Sequence, residues 1–220
     1  MSALDAAAAS AAMLNASSDI LTAPFLDTCR LVLPVIGARD GLSCSPALTP
    51  PADSLGGAFY PARADVSGNI ERLAARAAAG MNGSGRLFEL VEAEVASGSA
   101  SASSSCTKGL LWLKRFLEFT LRLLERLARE PETELGAAAS AAYSATLAPF
   151  HGFLTTALFT AVLYAAPSRS SFERTLAGGG DADPQLLRAQ MSSFCTHFGP
   201  LLARIHMFIS EAGQDDPTPA

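Results

Sequence analysis

From Leu135 to Ser168 the chain carries no Asp, Glu, Lys or Arg. That stretch is long enough to cross a bilayer, so it must either span a membrane or be buried by the rest of the chain. Pro149 and His151 interrupt it, and Ser140, Ser144, Thr146, Thr155, Thr156 and Thr160 dilute it. Its unbroken part, Phe153 to Ala166, is too short to span. The segment therefore predicts an alanine-rich helix buried in the core, begun near Pro131 with Glu132 and Glu134 at its N-terminus and stopped by Pro167.

Around that run the pattern is helical throughout. Thr22 to Ile36 predicts a first helix closed by Gly37, and Ala62 to Ala79 a second, ended by Gly80 and Asn82-Gly83. Arg86 to Ala96 predicts a short third. In Thr107 to Arg129, Trp112, Phe116, Phe119 and Leu123 share one face, while Lys114, Glu118, Arg122, Glu125 and Arg129 form an opposing charged stripe. Glu118–Arg122 and Glu125–Arg129 have the favourable i,i+4 order. Ser170 to Leu176 reads as a short amphipathic turn before Gly178-Gly179-Gly180, and Pro184 opens a last helix reaching Ala212. Residues 1–18 read as a flexible Ala-rich tail, 39–57 as a Pro/Gly/Ser loop, 97–105 as a flexible insertion and 214–220 as a frayed polar tail. The fold class is all-α, one domain over 19–213, with no β pattern and no repeat.

Composition narrows the function. A net charge of −5 and a pI near 5.2 argue against non-specific nucleic-acid binding, which rests on neutralised phosphates. Membrane contact stays open, because a local basic cluster could serve it. Cys29, Cys44, Cys106 and Cys195 are scattered, without CxxC or a metal-type pattern with His151, His197 and His206. Such cysteines read as reduced thiols of a cytosolic protein, and Met1 to Ser18 lacks the basic start of a signal peptide. No GxSxG or Gly-rich phosphate loop occurs, so no catalytic residue, metal or cofactor is expected.

A few polar or aromatic residues stand out. Asp65, Asn69 and Arg72 fall at i, i+4 and i+7, opposite Val66, Ile70 and Leu73. They form either a solvated helix face or a hydrogen-bonding strip in which a carboxylate accepts, an amide does both and a guanidinium donates. Trp112, the only tryptophan, has Lys108 and Arg115 nearby on the helix surface. It is a core aromatic or a platform that stacks on a sugar ring. His151 falls on the stripe Leu147, Leu154, Leu158 and Val162, as a satisfied core histidine or a polar group aimed at a ligand.

Three blocks, in order, resemble the glycolipid transfer protein family. They are Asp65-Val66-Ser67-Gly68-Asn69-Ile70, then Leu111-Trp112-Leu113-Lys114-Arg115 with Phe119, then Tyr143 through His151-Gly152-Phe153 to Leu163-Tyr164-Ala165-Ala166-Pro167. Similarity extends thinly over about Pro24 to Gly213. The resemblance implies a two-layer helical sandwich enclosing a hydrophobic slot for ceramide. It implies that Asp65 and His151 hydrogen-bond the ceramide amide, that Asn69 and Arg72 contact sugar hydroxyls, and that Trp112 stacks on the first sugar. Phe59, Phe119, Leu123, Leu158, Phe159 and Leu163 are candidates for the slot lining, and Phe153 for transient contact with the membrane surface.

Relatives that carry ceramide-1-phosphate tend to have Lys at the Asn69 position and Arg at the Trp112 and Phe116 positions. That contrast is physically sensible, since a phosphate wants cations and a neutral sugar wants stacking. The implied function is therefore an ATP-independent intermembrane carrier of glycosphingolipids, peripheral to membranes. The alternatives are a ceramide-1-phosphate or other sphingolipid carrier, a lipid sensor or adaptor without net transfer, and a helical protein without a ligand. Departures from the family pattern are Arg72 for the usual Lys, Phe153 for the usual Trp, a longer 39–54 loop, the 97–105 insertion, no paired phenylalanines in Leu33-Pro34-Val35-Ile36, and no tyrosine in the C-terminal tail.

Overall fold

The most strongly patterned segment lies at the centre of the helix packing, against four other helices. Helix α5 (Cys106–Arg129) buries Leu110, Leu113, Phe116, Leu117, Phe119, Thr120, Leu123, Leu124 and Leu127. Its first turn is capped by Ser105, whose Oγ accepts from the backbone N–H of Lys108 at 3.1 Å, satisfying one of the donors a helix start leaves open. The structure, a computed structural model, describes residues 2–36, 60–79, 85–180 and 183–218. The described residues form α1 (Ala3–Ala16), α2 (Thr22–Val32), α3 (Tyr60–Ala78), α4 (Leu87–Ala96), α5, α6 (Leu135–Thr146), α7 (Phe153–Tyr164), α8 (Arg169–Leu176) and α9 (Pro184–Glu211). Short 3₁₀ turns follow α2 and α6, and the only extended pairing among them is one bridge, Leu21 to Arg86. Helix packing runs α9–α1–α2–α3–α5 and closes back on α9, with α4 and α6 also against α5. This is the all-α, two-layer sandwich expected from the sequence.

Residues 1–18 are not a loose tail. Ser2 and Asp5 make a capping box, each side chain accepting the other's backbone N–H at 3.1 Å. Leu4, Ala7, Ala11 and Leu14 then recur at helical spacing and are buried, against α9 and α2. Alanine contributes little area, but it lets backbones approach closely. At the far end Arg204 donates to the carbonyls of Leu14 and Ser18 at 3.0 and 2.8 Å, the first an acceptor that the last turn of α1 leaves open.

The uncharged run is not one buried helix. It starts at Leu135 rather than Pro131, stops at Thr146, makes a 3₁₀ turn over Ala148–Phe150 and resumes at Phe153. Pro149 has no N–H to continue the ladder, and His151 and Gly152 are extended, with ψ of 130° and 169°. The resumed helix α7 buries only Leu163; Phe153, Leu154 and Tyr164 are 92%, 81% and 95% exposed. It is an apolar helix on the surface rather than in the core, and no described helix is long and apolar enough to cross a membrane.

Smaller corrections follow the same physics. Thr22–Ile36 ends as α-helix at Val32, where Pro34 cannot supply the next turn's N–H. Residues 97–105 are a chain of tight turns: Gly98 takes φ +71°, Ser99 N donates to Glu94 O at 2.9 Å, and Ser105 Oγ donates to the carbonyl of buried Ala100 at 2.7 Å. On α5 the charged stripe breaks up. Lys114 is buried and pairs with Glu118 at 3.2 Å, while Arg122 and Arg129 both engage Glu125. Arg115 is not on the surface; it is 1% exposed. The loop 39–57 and Cys44 lie outside the described residues, whereas Cys29, Cys106 and Cys195 are free thiols.

Candidate functional site

On α3, Val66, Ile70 and Leu73 face the core and are buried, which turns Asp65, Asn69 and Arg72 along a neighbouring face. That face is not simply solvated, because Asn69 is also buried and its Nδ2 donates to Asp65 Oδ2 at 3.2 Å. Asn69 packs against Gly109 of α5. A Cβ there would meet Arg72 Cδ at 3.4 Å and the carbonyl of Asn69 at 3.6 Å, so α3 and α5 cross closely at a residue without a side chain. Arg72 reaches past it to the carbonyl of Ser105, a long contact of 3.4 Å.

Asp65 keeps an exposed surface, yet surrounding protein raises its carboxyl pKa, against the lowering pull of Arg72 and the Asn69 hydrogen bond. One helical turn beyond Gly109, half-buried Trp112 approaches His151, with ring centroids 5.7 Å apart. The imidazole also stands 4.8 Å from Phe159, and Tyr143 OH lies 3.0 Å from its Nδ1. Burial first, and then the positive charge of Arg115, lower the pKa of His151, so the ring is neutral near pH 7. With Tyr143 donating, Nδ1 accepts and Nε2 carries the proton. That leaves a donor on a ring that lines the pocket.

These groups converge on one pocket of about 330 Å³ between α3, α5, the turn after α6, and α7. Asp65, Trp112, His151, Leu158 and Phe159 line it, with Val66, Phe116 and Leu147. Asn69 and Arg72 continue the α3 face alongside but do not line it. Phe119, Leu123 and Leu163 are packed into the core, Phe153 stands in solvent, and Phe59 lies outside the described residues. A water-sized group takes roughly 30 Å³ and a methylene about as much, so the pocket has room for part of one alkyl chain. His151 reaches the pocket as part of a break between helices, not from a helical stripe.

Two participants were misplaced in the sequence reading. Arg115, expected near Trp112 on the helix surface, lies buried behind the platform, its guanidinium carbon 5.0 Å from the Trp112 ring centroid and 3.5 Å from that of Phe150. The other is the chain end. Gly213 takes φ +66° and Gln214 N donates to Ile209 O at 2.9 Å, which turns residues 214–218 back onto α5 instead of leaving them frayed. Lys108 Nζ meets Asp216 Oδ2 at 2.5 Å, Arg115 Nη2 donates to the Asp216 carbonyl, and Arg115 pairs with Asp215 at 3.6 Å.

The sequence and the fold match known proteins. The family model for glycolipid transfer protein (GLTP) matches residues 20–178. Glycolipid transfer protein 1 of Arabidopsis thaliana is 33% identical over 90% of this chain and 88% of its own. Among solved structures, the fungal glycolipid transfer protein HET-C2 superposes with TM-score 0.69 at 28% identity, covering 88% of this chain and 87% of its own. A variant of Arabidopsis ACD11 complexed with C12 ceramide-1-phosphate shares the fold, with TM-score 0.80 at 20% identity over 99% of this chain and 98% of its own. With the family match spanning most of its length and the acid, amide, indole and imidazole brought together on one fold, the chain belongs to the glycolipid transfer protein family.

Proposed function

We propose that the protein is an intermembrane carrier of sphingolipids and that its ligands are glycosphingolipids. The observation that carries the reading is the meeting of Asp65, Trp112 and neutral His151 on one apolar pocket, beside Asn69. An acid and an imidazole donor-acceptor pair suit the amide and hydroxyl of a ceramide, and a half-buried indole suits the apolar face of a sugar. The names of the Arabidopsis and fungal relatives agree with that headgroup.

The physical task is desolvation. A ceramide carries on the order of 30 methylenes, each costing about 0.8 kcal/mol to expose to water, so unaided desorption is extremely slow. A carrier shortens the exposure by offering an apolar slot at the membrane surface. The pocket as it stands holds only part of one chain, and Phe119, Leu123 and Leu163 are packed into the core rather than lining it. Loading therefore requires a wall to move, and α7 is the wall with least to lose, since it buries only Leu163 fully and packs Phe159 and Val162 partly against the core. Its exposed Phe153, Leu154 and Tyr164 enter the bilayer interface as it yields. No bond is made or broken, so the reading needs no catalytic group.

The test is transfer of fluorescent galactosylceramide between vesicles by the wild type, Asp65→Val and Trp112→Ala. Loss of one charge-assisted hydrogen bond costs roughly 1.5–3 kcal/mol, so Asp65→Val slows transfer at least tenfold with the helical signal intact. Trp112→Ala loses roughly 0.5–1.5 kcal/mol of ring contact beyond area. If both variants match the wild type, the site is misassigned. If ceramide-1-phosphate moves faster than galactosylceramide, the carrier stands and the sugar assignment fails.

A further inference from the structure

Along α5, Lys108, Trp112 and Arg115 are spaced i, i+4 and i+7, which places a cation one turn before and one turn after the indole on a single face. Arg115 is buried behind the ring, and Lys108 is partly exposed. Two adjacent cations beside a headgroup platform would favour a phosphate or sulfate. Each is instead matched by one of two consecutive carboxylates from the turned-back chain end, Lys108 by Asp216 and Arg115 by Asp215. The second contact, at 3.6 Å, is an ion pair too long for a hydrogen bond, so its effect is electrostatic. Asp216 is further fixed by the backbone N–H of Thr218, which its Oδ1 accepts at 2.9 Å, and the Lys108 contact holds its carboxyl far below the usual range. Arg72, on the α3 face beside the rim, acts electrostatically on Asp65.

We propose that Asp215 and Asp216 are specificity-determining residues of the lipid site: by neutralising the two cations that flank Trp112, they make the rim discriminate against sphingolipids with anionic headgroups. The proposal rests on the glycosphingolipid reading above and adds to it a cause of selectivity outside the pocket. It predicts that the anion preference is latent in α5 and is exposed when the acids lose their charge.

The test uses the full chain carrying Asp215→Asn with Asp216→Asn, and a second form that adds Lys108→Met. Vesicle transfer is measured for galactosylceramide and for its 3-sulfate, which differ in charge but share the sugar. The sulfated-to-neutral rate ratio is expected to rise about tenfold in the double variant, two half-screened charges now standing near one anion. Lys108→Met should reverse most of that rise. Independently of any lipid, the single tryptophan reports local potential: iodide quenching relative to acrylamide quenching should at least double in the double variant, and fall back with added Lys108→Met. Should the wild type move neither lipid, the carrier reading fails and the quenching ratio alone decides the present proposal. An unchanged quenching ratio in a variant with native melting, or an unchanged transfer ratio beside active neutral transfer, overturns it. Asp216→Asn alone, with half the change in charge, guards against a detached chain end as the cause, because it keeps the Asp215–Arg115 ion pair as well as the backbone bond from Arg115 to residue 216.

Discussion

Replacing Glu94 should destabilise the whole fold through one helix start. Its carboxylate is buried at the end of α4 and accepts the backbone N–H of Cys106 at 2.9 Å, that of Thr107 at 2.8 Å, and the Thr107 hydroxyl at 2.7 Å. It thus caps α5 from outside, where open N–H groups and the positive end of the helix dipole favour an anion. In Glu94→Ala, two backbone donors and a hydroxyl lose their acceptor at about 1–3 kcal/mol each, partly offset by water entering beside the surface and by a carboxylate no longer desolvated. A net loss of about 3 kcal/mol results, which for a chain of this size lowers Tm by about 6–12 °C. Glu94→Gln turns one oxygen into a competing donor and should lose about half as much. Burial alone would raise this carboxyl's pKa, but the hydrogen bonds from Thr107 and Cys106 outweigh it and the net shift is downward. A depressed folded pKa gives stability that is full above the unfolded value of 4.5 and is lost as pH falls through the folded one. The gap between wild type and Glu94→Gln in thermal denaturation followed by circular dichroism should therefore be constant near pH 7 and narrow below about pH 4.5. Melting of Glu94→Ala within about 2 °C of wild type would refute the reasoning.

Arg169→Met should lower stability by about 2–3 kcal/mol in urea titrations. The Arg169 guanidinium donates to the carbonyls of Leu127, Glu130 and Thr133 at 2.7, 2.7 and 3.0 Å while pairing with Glu173, and Arg169→Lys, with one ammonium for the fork, should recover only part. Phe153→Ser with Tyr164→Ser should leave the melting point within a degree, both side chains being almost wholly in solvent. The pair should still weaken vesicle binding in a flotation assay at least tenfold, at about 1.5–3 kcal/mol per apolar ring removed from the interface; unchanged flotation would rule α7 out as the docking face.

Local rules in the chain fixed a good deal. The face of α5, the stop at Arg129, the start of α9 at Pro184 and the spacing of Asp65, Asn69 and Arg72 all follow from side chains within one or two turns of each other. The same rules were present at the N-terminus, where Ser2 and Asp5 form a capping box and Leu4, Ala7, Ala11 and Leu14 recur at helical spacing. Alanine's weak hydrophobic signal hid them. Composition likewise misplaced α7, because an apolar helix looks the same whether its face meets a core or is left open.

By itself the sequence determined that the chain is all-helical, where most helices begin and end, and which family its three motif blocks resemble. Only the tertiary structure decided that Asn69 is buried beside Gly109, that a broken backbone brings His151 to Trp112, that α7 lies outside, and that the chain end returns to Lys108 and Arg115. Those outcomes depend on contacts between residues as much as 108 positions apart. Such contacts are set by which surfaces find each other once the helices pack, and no period along the chain encodes that.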